Sequence, residues 1–270
     1  MMKKIMTIII CAAFTVFIMF PIYWLLSISL KTRLEIISEF SLWPTNPTFQ
    51  NYYRPLFEDV YGFYIRNSAL ISVIEAILCI IIAIPAAYAF SRLKFKGDNH
   101  LLFWLLTNRM APAAAFLIPY YTLYVSLRLF DTIIGLVIVN SIANLPFTIW
   151  LLKGFIDGIP KDIEEAAIID GYTFWQVLIK IVLPLLRPAI IVSGLFVFVF
   201  TWNEMLFASL FTTSTAAMPL TGGLLHYMSQ TWVNWGEIAA LTIITISPIL
   251  GFIYYLQRYL ARALTFGAVR

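Results

Sequence analysis

Six stretches of this chain stay apolar for roughly 20 residues or more, the helical length that crosses a hydrocarbon layer about 30 Å thick. They run from Ile5 to Leu30, Ser68 to Phe90, Leu101 to Leu127, Ile133 to Leu152, Ala189 to Phe211 and Ile238 to Leu260. Backbone polar groups inside a bilayer must be satisfied within the segment, so each stretch predicts a transmembrane helix. Asn108, Arg109, Pro112 and Pro119 interrupt the third, which leaves open a single span or an interfacial piece followed by a shorter one. Lys3 and Lys4 precede the first run as in a signal peptide, but its apolar region is about twice too long and no A-x-A site follows, so it reads as a retained anchor.

Composition agrees with this pattern. The 270 residues are 61% hydrophobic and 12% charged, with a mean hydropathy of +0.87, against about 45 to 50% and roughly 25% in soluble domains. Soluble, disordered, collagenous, coiled-coil and disulfide-scaffold classes are excluded. Cys11 and Cys79 lie inside apolar runs and read as small buried hydrophobes, not as a bridge or a metal pair. The net charge of +4 mostly records orientation, and nucleic acid is not an expected partner. With the N-terminus inside, the cytoplasmic set is Lys3, Lys4, Arg92, Lys94, Lys96, Lys153, Lys161, Lys180, Arg187, Arg258, Arg262 and Arg270. The outer set is Lys31, Arg33, Arg54, Arg66 and Arg128. That asymmetry predicts both termini in the cytoplasm.

Three connections are long enough to fold. The outer segment 31–67 brings Trp43, Tyr52, Tyr53 and Tyr61 together with Pro44, Pro47 and Pro55, the make-up of an ordered cap on the membrane surface. A second outer loop, Thr212 to Glu237, holds Gly222 and Gly223, which would permit a tight reversal, and Trp232 and Trp235, read as interfacial belt residues. The third, 153–188, is expected in the cytoplasm. No fixed-period repeat or low-complexity tract is present.

Pro160 to Pro184 in that third connection is the informative stretch. Pro160 suits a helix start, and Asp162, Glu164 and Glu165 place negative charge in its first turns. Gly171 stops that helix, and Thr173 with Gln176 three residues on is a capping-box pattern for a second one, which Pro184 and Pro188 are expected to end. Helices this short are marginal alone, below about 12 residues, so they must pack on something. Ala166 and Ala167 allow close approach, Ile163 and Ile168 supply apolar contact, and Glu164, Glu165 and Asp170 form a charged rim. Docking on a partner and folding back on the chain's own spans both fit this mixture.

The same segment resembles the E-A-A-x3-G-x9-I-x-L-P loop of binding-protein-dependent ABC import permeases, with Glu165, Ala166, Ala167, Gly171, Ile181, Leu183 and Pro184 at its fixed positions. A-Y-A-F-S-R-L-K-F-K-G from Ala87 to Gly97, R-M-A-P from Arg109, W-N-E at Trp202 to Glu204 and the terminal L-T-F-G-A-V-R are similar to the maltose-type carbohydrate uptake permeases. Among these the chain resembles the six-span partner with a short N-terminus, the MalG-like subunit. The resemblance implies an all-α type I importer of the MetI-like fold: one permease domain over 1–270 with a five-helix core at 66–260. It further implies a second homologous permease, two ATPase subunits, an extracytoplasmic solute-binding protein and a sugar or polyol substrate, in the inner membrane of a bacterium or archaeon. In that family the helix around Glu164 to Gly171 is the coupling helix, here with Pro184 closing the loop, and the segment with Gly222 and Gly223 reaches toward the binding protein. Independently, no G-x-x-x-x-G-K-[ST] loop occurs, so ATP and Mg²⁺ are expected on the partner ATPase and no cofactor or metal in this chain.

Ionisable groups in spans are costly and mark a pathway by default. Counted at about 1.5 Å per residue, Glu75, Asn140 and Glu204 fall at one depth, with Asn144 one turn below Asn140 and Trp202 and Asn203 beside Glu204. Such a layer suits sugar hydroxyls, and interhelical glue is the competing reading of Asn140, Asn144 and Asn203. For Glu75 an interhelical hydrogen bond is expected. Arg109 is either a pathway residue or a side chain snorkelling to the inner interface. An ion-coupled secondary transporter with Glu75 or Glu204 as proton carrier is the alternative function, though the inverted repeat of many such folds is missing. An intramembrane enzyme is disfavoured, since His100 and His226 are predicted on opposite sides of the membrane.

Overall fold

The computed structural model describes residues 2–38, 40–110, 113–228 and 233–266, with side-chain surroundings through residue 254. Pro112, Trp232, residues 267–270 of the terminal signature and the side chains of Arg258 and Arg262 lie outside the described set. Among the described residues the regular structure is entirely helical. In chain order the helices are α1 (Met2–Ser29), α2 (Arg33–Ser38), α3 (Gln50–Tyr53), α4 (Tyr61–Arg92), α5 (Asp98–Met110), α6 (Leu117–Ser126) and α7 (Ile133–Asp157). They continue with α8 (Lys161–Ile169), α9 (Phe174–Val177), α10 (Leu183–Trp202), α11 (Leu206–Phe211), α12 (Leu220–Met228) and α13 (Trp235–Phe266).

Among the described residues five helical stretches are long and apolar enough to cross a membrane: α1, α4, α7, the run Phe174–Trp202 that includes α9 and α10, and the first part of α13. The interrupted third stretch is a bent pair, α5 and α6, whose arms meet at 89°, the geometry of a broken span or of a re-entrant loop. Pro21, Pro85, Pro146 and Pro248 all sit inside long helices, as spans permit when neighbouring side chains re-satisfy the freed backbone. α4 packs on α7 and α10, α5 on α7, and α1 on α13. Small residues make the central contact close, with Ala83 and Ala87 of α4 and Ala189 of α10 buried in one cluster with Leu152 and Ile156 of α7.

The fifth span differs from the sequence expectation at both ends. The fifth span begins at Phe174, not Ala189, and Pro184 and Pro188 do not end the helix before it. A π turn at Leu178–Val182 explains why: Leu183 N–H reaches back five residues to Leu178 O, and Pro184 falls in the first turn of α10, where its missing N–H costs least. The same span stops at Trp202, not Phe211, because Asn203–Met205 break the helix and α11 starts afresh.

The segment 31–67 is folded against the ends of α1 and α13. Asn51 is buried, and its Nδ2 donates to Ser29 O at 2.9 Å and Lys31 O at 2.8 Å, tying the cap to the end of α1. Gly236 at the start of α13 leaves room for that amide, since a Cβ there would lie 2.5 Å from Asn51 Nδ2. Asp131, between α6 and α7, has a positive φ of 57° and accepts from the N–H groups of Thr213 and Ser214 at 2.9 and 3.0 Å. Its own N–H donates to Phe211 O at 2.8 Å, so this turn pins the end of α11.

Candidate functional site

The bend at Gly171 has the predicted local chemistry. Gly171 takes a φ of +86°, its N–H donates to Ile168 O, and Tyr172 N–H donates to Ala167 O, which is a Schellman C-cap. Thr173 N–H donates to Gln176 Oε1 at 2.8 Å, the capping box of α9. Pro160 stands one position earlier than a first-turn proline, as the N-cap of α8.

The two faces of α8 have opposite uses. Ile168 and Ile169 are 58% and 86% exposed, and Ile163, Glu165, Ala166, Asp170 and, past the bend, Trp175 are exposed with them. Glu164 and Ala167 turn inward instead. Glu164 therefore leaves the expected charged rim: Tyr88 Oη donates to its Oε2 at 2.7 Å and Arg92 Nε to its Oε1 at 2.7 Å. The reason lies in α4, whose last turn places Tyr88 and Arg92 four residues apart on the face that α8 covers. Arg92 Nη2 also donates to Ile156 O, in the last turn of α7, at 2.9 Å and to Ile159 O, just past its C-cap Gly158, at 2.8 Å, where intrahelical donors run out. Arg92 had counted only toward topology in the sequence. Its place in A-Y-A-F-S-R was the available signal.

In mid-bundle, Glu75 of α4 is fully buried. Asn144 Nδ2 donates to its Oε1 at 2.8 Å, and Thr201 Oγ1 donates to its Oε2. The expected interhelical bond of Glu75 is thus made to Asn144 and Thr201, and three helices are pinned at one point. Thr201 was missed because a hydroxyl in an apolar run carries no charge signal. Arg109, at the end of α5, lies against α7 and α10: Nη1 is 3.3 Å from Asn144 Oδ1, and the guanidinium sits over the rings of Phe147 and Phe200, 5.0 and 4.7 Å from their centroids.

The remaining predicted residues have local duties. Asn140 is buried on α7. Trp202 is buried, and its Nε1 donates to Thr245 O at 2.9 Å. Asn203 is exposed, with Nδ2 donating to Val199 O. Glu204 accepts from the N–H groups of Phe207 and Ala208 at 2.9 and 3.0 Å, so W-N-E is a helix stop followed by the cap of α11. Both carboxylates proposed as proton carriers in the secondary-transporter alternative are therefore hydrogen-bonded within the fold. Gly222 and Gly223 form no reversal; they lie buried in α12. A Cβ on Gly223 would stand 2.2 Å from Tyr64 Cδ2, so the glycine lets α12 lie against α4. The exposed positions of that helix are Leu225, His226 and Met228.

Long apolar helices, clamped by a buried polar cluster and carrying a bent helix pair with an exposed face at one end, define a multi-span membrane protein. The chain belongs to the family of binding-protein-dependent transport system inner membrane components, whose model matches residues 79–266. It is 35% identical to a probable ABC transporter permease protein of Sinorhizobium fredii, y4oR, over 93% of this chain and 90% of that one. It is 33% identical to the trehalose transport system permease protein SugB of Mycobacterium tuberculosis (93% and 92% covered) and 30% identical to the diacetylchitobiose uptake system permease protein DasC of Streptomyces coelicolor (94% and 92%). A solved bacterial ABC transporter involved in the import of the acidic polysaccharide alginate shares the fold, with a TM-score of 0.82, 22% identity and 96% of both chains covered.

Proposed function

We propose that this chain is one permease of an ATP-driven, binding-protein-dependent sugar importer, forming half of the path with a second homologous permease. The observation that carries the reading is the exposed outer face of α8 and α9: isoleucines and Trp175 ringed by Glu165 and Asp170, an apolar patch of the kind that marks a partner site. One subunit of an ATPase pair occupies that face, its fellow docks on the second permease, and the pair holds ATP and Mg²⁺. The loop lies in the cytoplasm with both termini, and the solute-binding protein docks at the opposite end, near the exposed side of α12 and the cap. Closure of the ATPase pair moves α8 and opens the bundle outward, and hydrolysis resets it. Arg109 and Asn203 keep exposed polar surface and offer hydrogen bonds to a passing solute, while Asn140, Asn144, Trp202 and Glu204 hold the frame of the path. The named cargo of three relatives, trehalose, diacetylchitobiose and sulfoquinovosyl glycerol, supports a sugar or sugar-polyol substrate.

Two measurements test this. Calorimetric titration of the cognate binding protein with trehalose, diacetylchitobiose and sulfoquinovosyl glycerol is expected to show micromolar or tighter binding of at least one; no binding of any sugar would remove the substrate class. Ile169→Asp, which charges the patch without touching the bundle, is expected to cut capture of the ATPase chains by the purified permease pair by about tenfold, roughly 1.4 kcal/mol. Unchanged capture would remove the docking reading.

A further inference from the structure

We infer that Tyr88 and Arg92 are positioning residues that carry displacement of α8 along α4 to the polar cluster at Glu75, a route separate from the covalent one through α10. The inference rests on the docking reading above.

The covalent route is not one continuous α-helix and is interrupted at two places. Between α8 and α10 the chain turns at Gly171, with its left-handed φ of +86°, and then passes through the π turn at Leu178–Val182. The non-covalent contact is stiff. Both carboxylate oxygens of Glu164 are taken by α4, and the Arg92 and Glu164 side chains are 9% and 6% exposed. Sliding α8 off α4 would leave a buried charge without its partner, which is far costlier than moving the two together. Arg92 in turn grips two carbonyls at the end of α7, so α4, α7 and α8 meet on one guanidinium.

The other end of the strut lies on the same helix. Glu75 precedes Tyr88 by thirteen residues within unbroken α4, about 20 Å along the axis at about 1.5 Å per residue. There its carboxylate is held by Asn144 of α7 and Thr201 of α10, and Asn144 is the residue that Arg109 approaches. A pair that only stabilised the fold could join α8 to any neighbour. This one joins the exposed docking element to the helix whose far carboxylate locks the middle of the bundle.

The test uses the complete importer in proteoliposomes, with Cys11→Ser and spin labels on Ile77→Cys of α4 and Ile142→Cys of α7, both exposed positions. The label distance is read before and after trapping with ATP and vanadate, and ATPase capture is measured in parallel. The unmutated clamp is expected to show a shift on trapping. Arg92→Gln is expected to lose at least half of that shift while the ATPase chains stay bound, and Tyr88→Phe, which removes a single hydroxyl and keeps the ion pair, to lose a smaller part. Arg92→Lys is expected to recover part of the loss. A full shift in Arg92→Gln overturns the inference. So does loss of the ATPase chains from that variant, since the pair would then serve docking alone. Failure of the unmutated permease pair to capture ATPase chains would instead overturn the docking reading, and this inference with it.

Discussion

At the scale of single residues, charge in an apolar run announced Glu75, and its partner was settled only by packing. Deleting one member of a buried hydrogen-bonded pair costs about 1–3 kcal/mol in water-soluble proteins, but interhelical bonds in membranes average nearer 0.6 kcal/mol. Glu75→Ala and Asn144→Ala are each expected to lower unfolding stability in detergent by about 0.6 to 2 kcal/mol, and the double variant by less than the sum, because the two share one bond. Strict additivity would place them in separate networks. Asp131 gives a pH prediction at the loop between α6 and α7. Burial pushes its pKa up, but the two N–H donors of Thr213 and Ser214 outweigh that and hold the carboxyl below its ordinary value. Its stabilising contribution is therefore complete above the unfolded value of about 3.9 and is lost as pH falls through the lower folded value. Proteolytic nicking near Thr213 is expected to stay constant from neutral pH down to about 5 and to rise only below the ordinary carboxylate range, whereas Asp131→Asn removes that pH step. No local pattern revealed Asp131, whose partners lie more than eighty positions away in sequence.

At the scale of elements, period and punctuation were largely legible. Apolar length located the spans, and Gly171 with Thr173 and Gln176 located the bend, because caps and left-handed turns are decided within a few residues. Proline was the unreliable signal. It reads as a stop in water, yet the π turn before Pro184 lets the helix continue. Gly223 misled in the opposite sense: a glycine pair in a loop suggested a turn, whereas helix α12 uses it to approach Tyr64. Gly223→Ala is accordingly expected to destabilise the protein by about 1–3 kcal/mol through overpacking, read as a fall in unfolding temperature, and Tyr64→Leu on the same background to restore most of the loss. An unaffected Gly223→Ala would show that α12 does not rest on α4.

At the scale of the whole molecule, the contacts at Glu164 and at Glu75 tie α4, α7, α8 and α10 to one another. The proposed orientation rests on the Lys/Arg asymmetry and can be checked directly. Thr215→Cys is expected to react with a membrane-impermeant maleimide on intact cells, and Asp162→Cys only after permeabilisation. Both positions are exposed, whereas Cys79 is buried and Cys11 lies within a span. The opposite labelling pattern would invert the topology and move the docking loop outside.

The sequence by itself determined the solvent, the approximate number of spans and the bend at Gly171, because hydrophobicity, helix length and capping depend on neighbours in the chain. The tertiary structure decided which face of α8 is free, that Glu164 belongs to Arg92 and Tyr88, that Glu75 belongs to Asn144 and Thr201, and that Arg109 points inward. Those choices depend on which helices lie side by side, and a buried charge or amide accepts whichever partner that packing brings within about 3 Å.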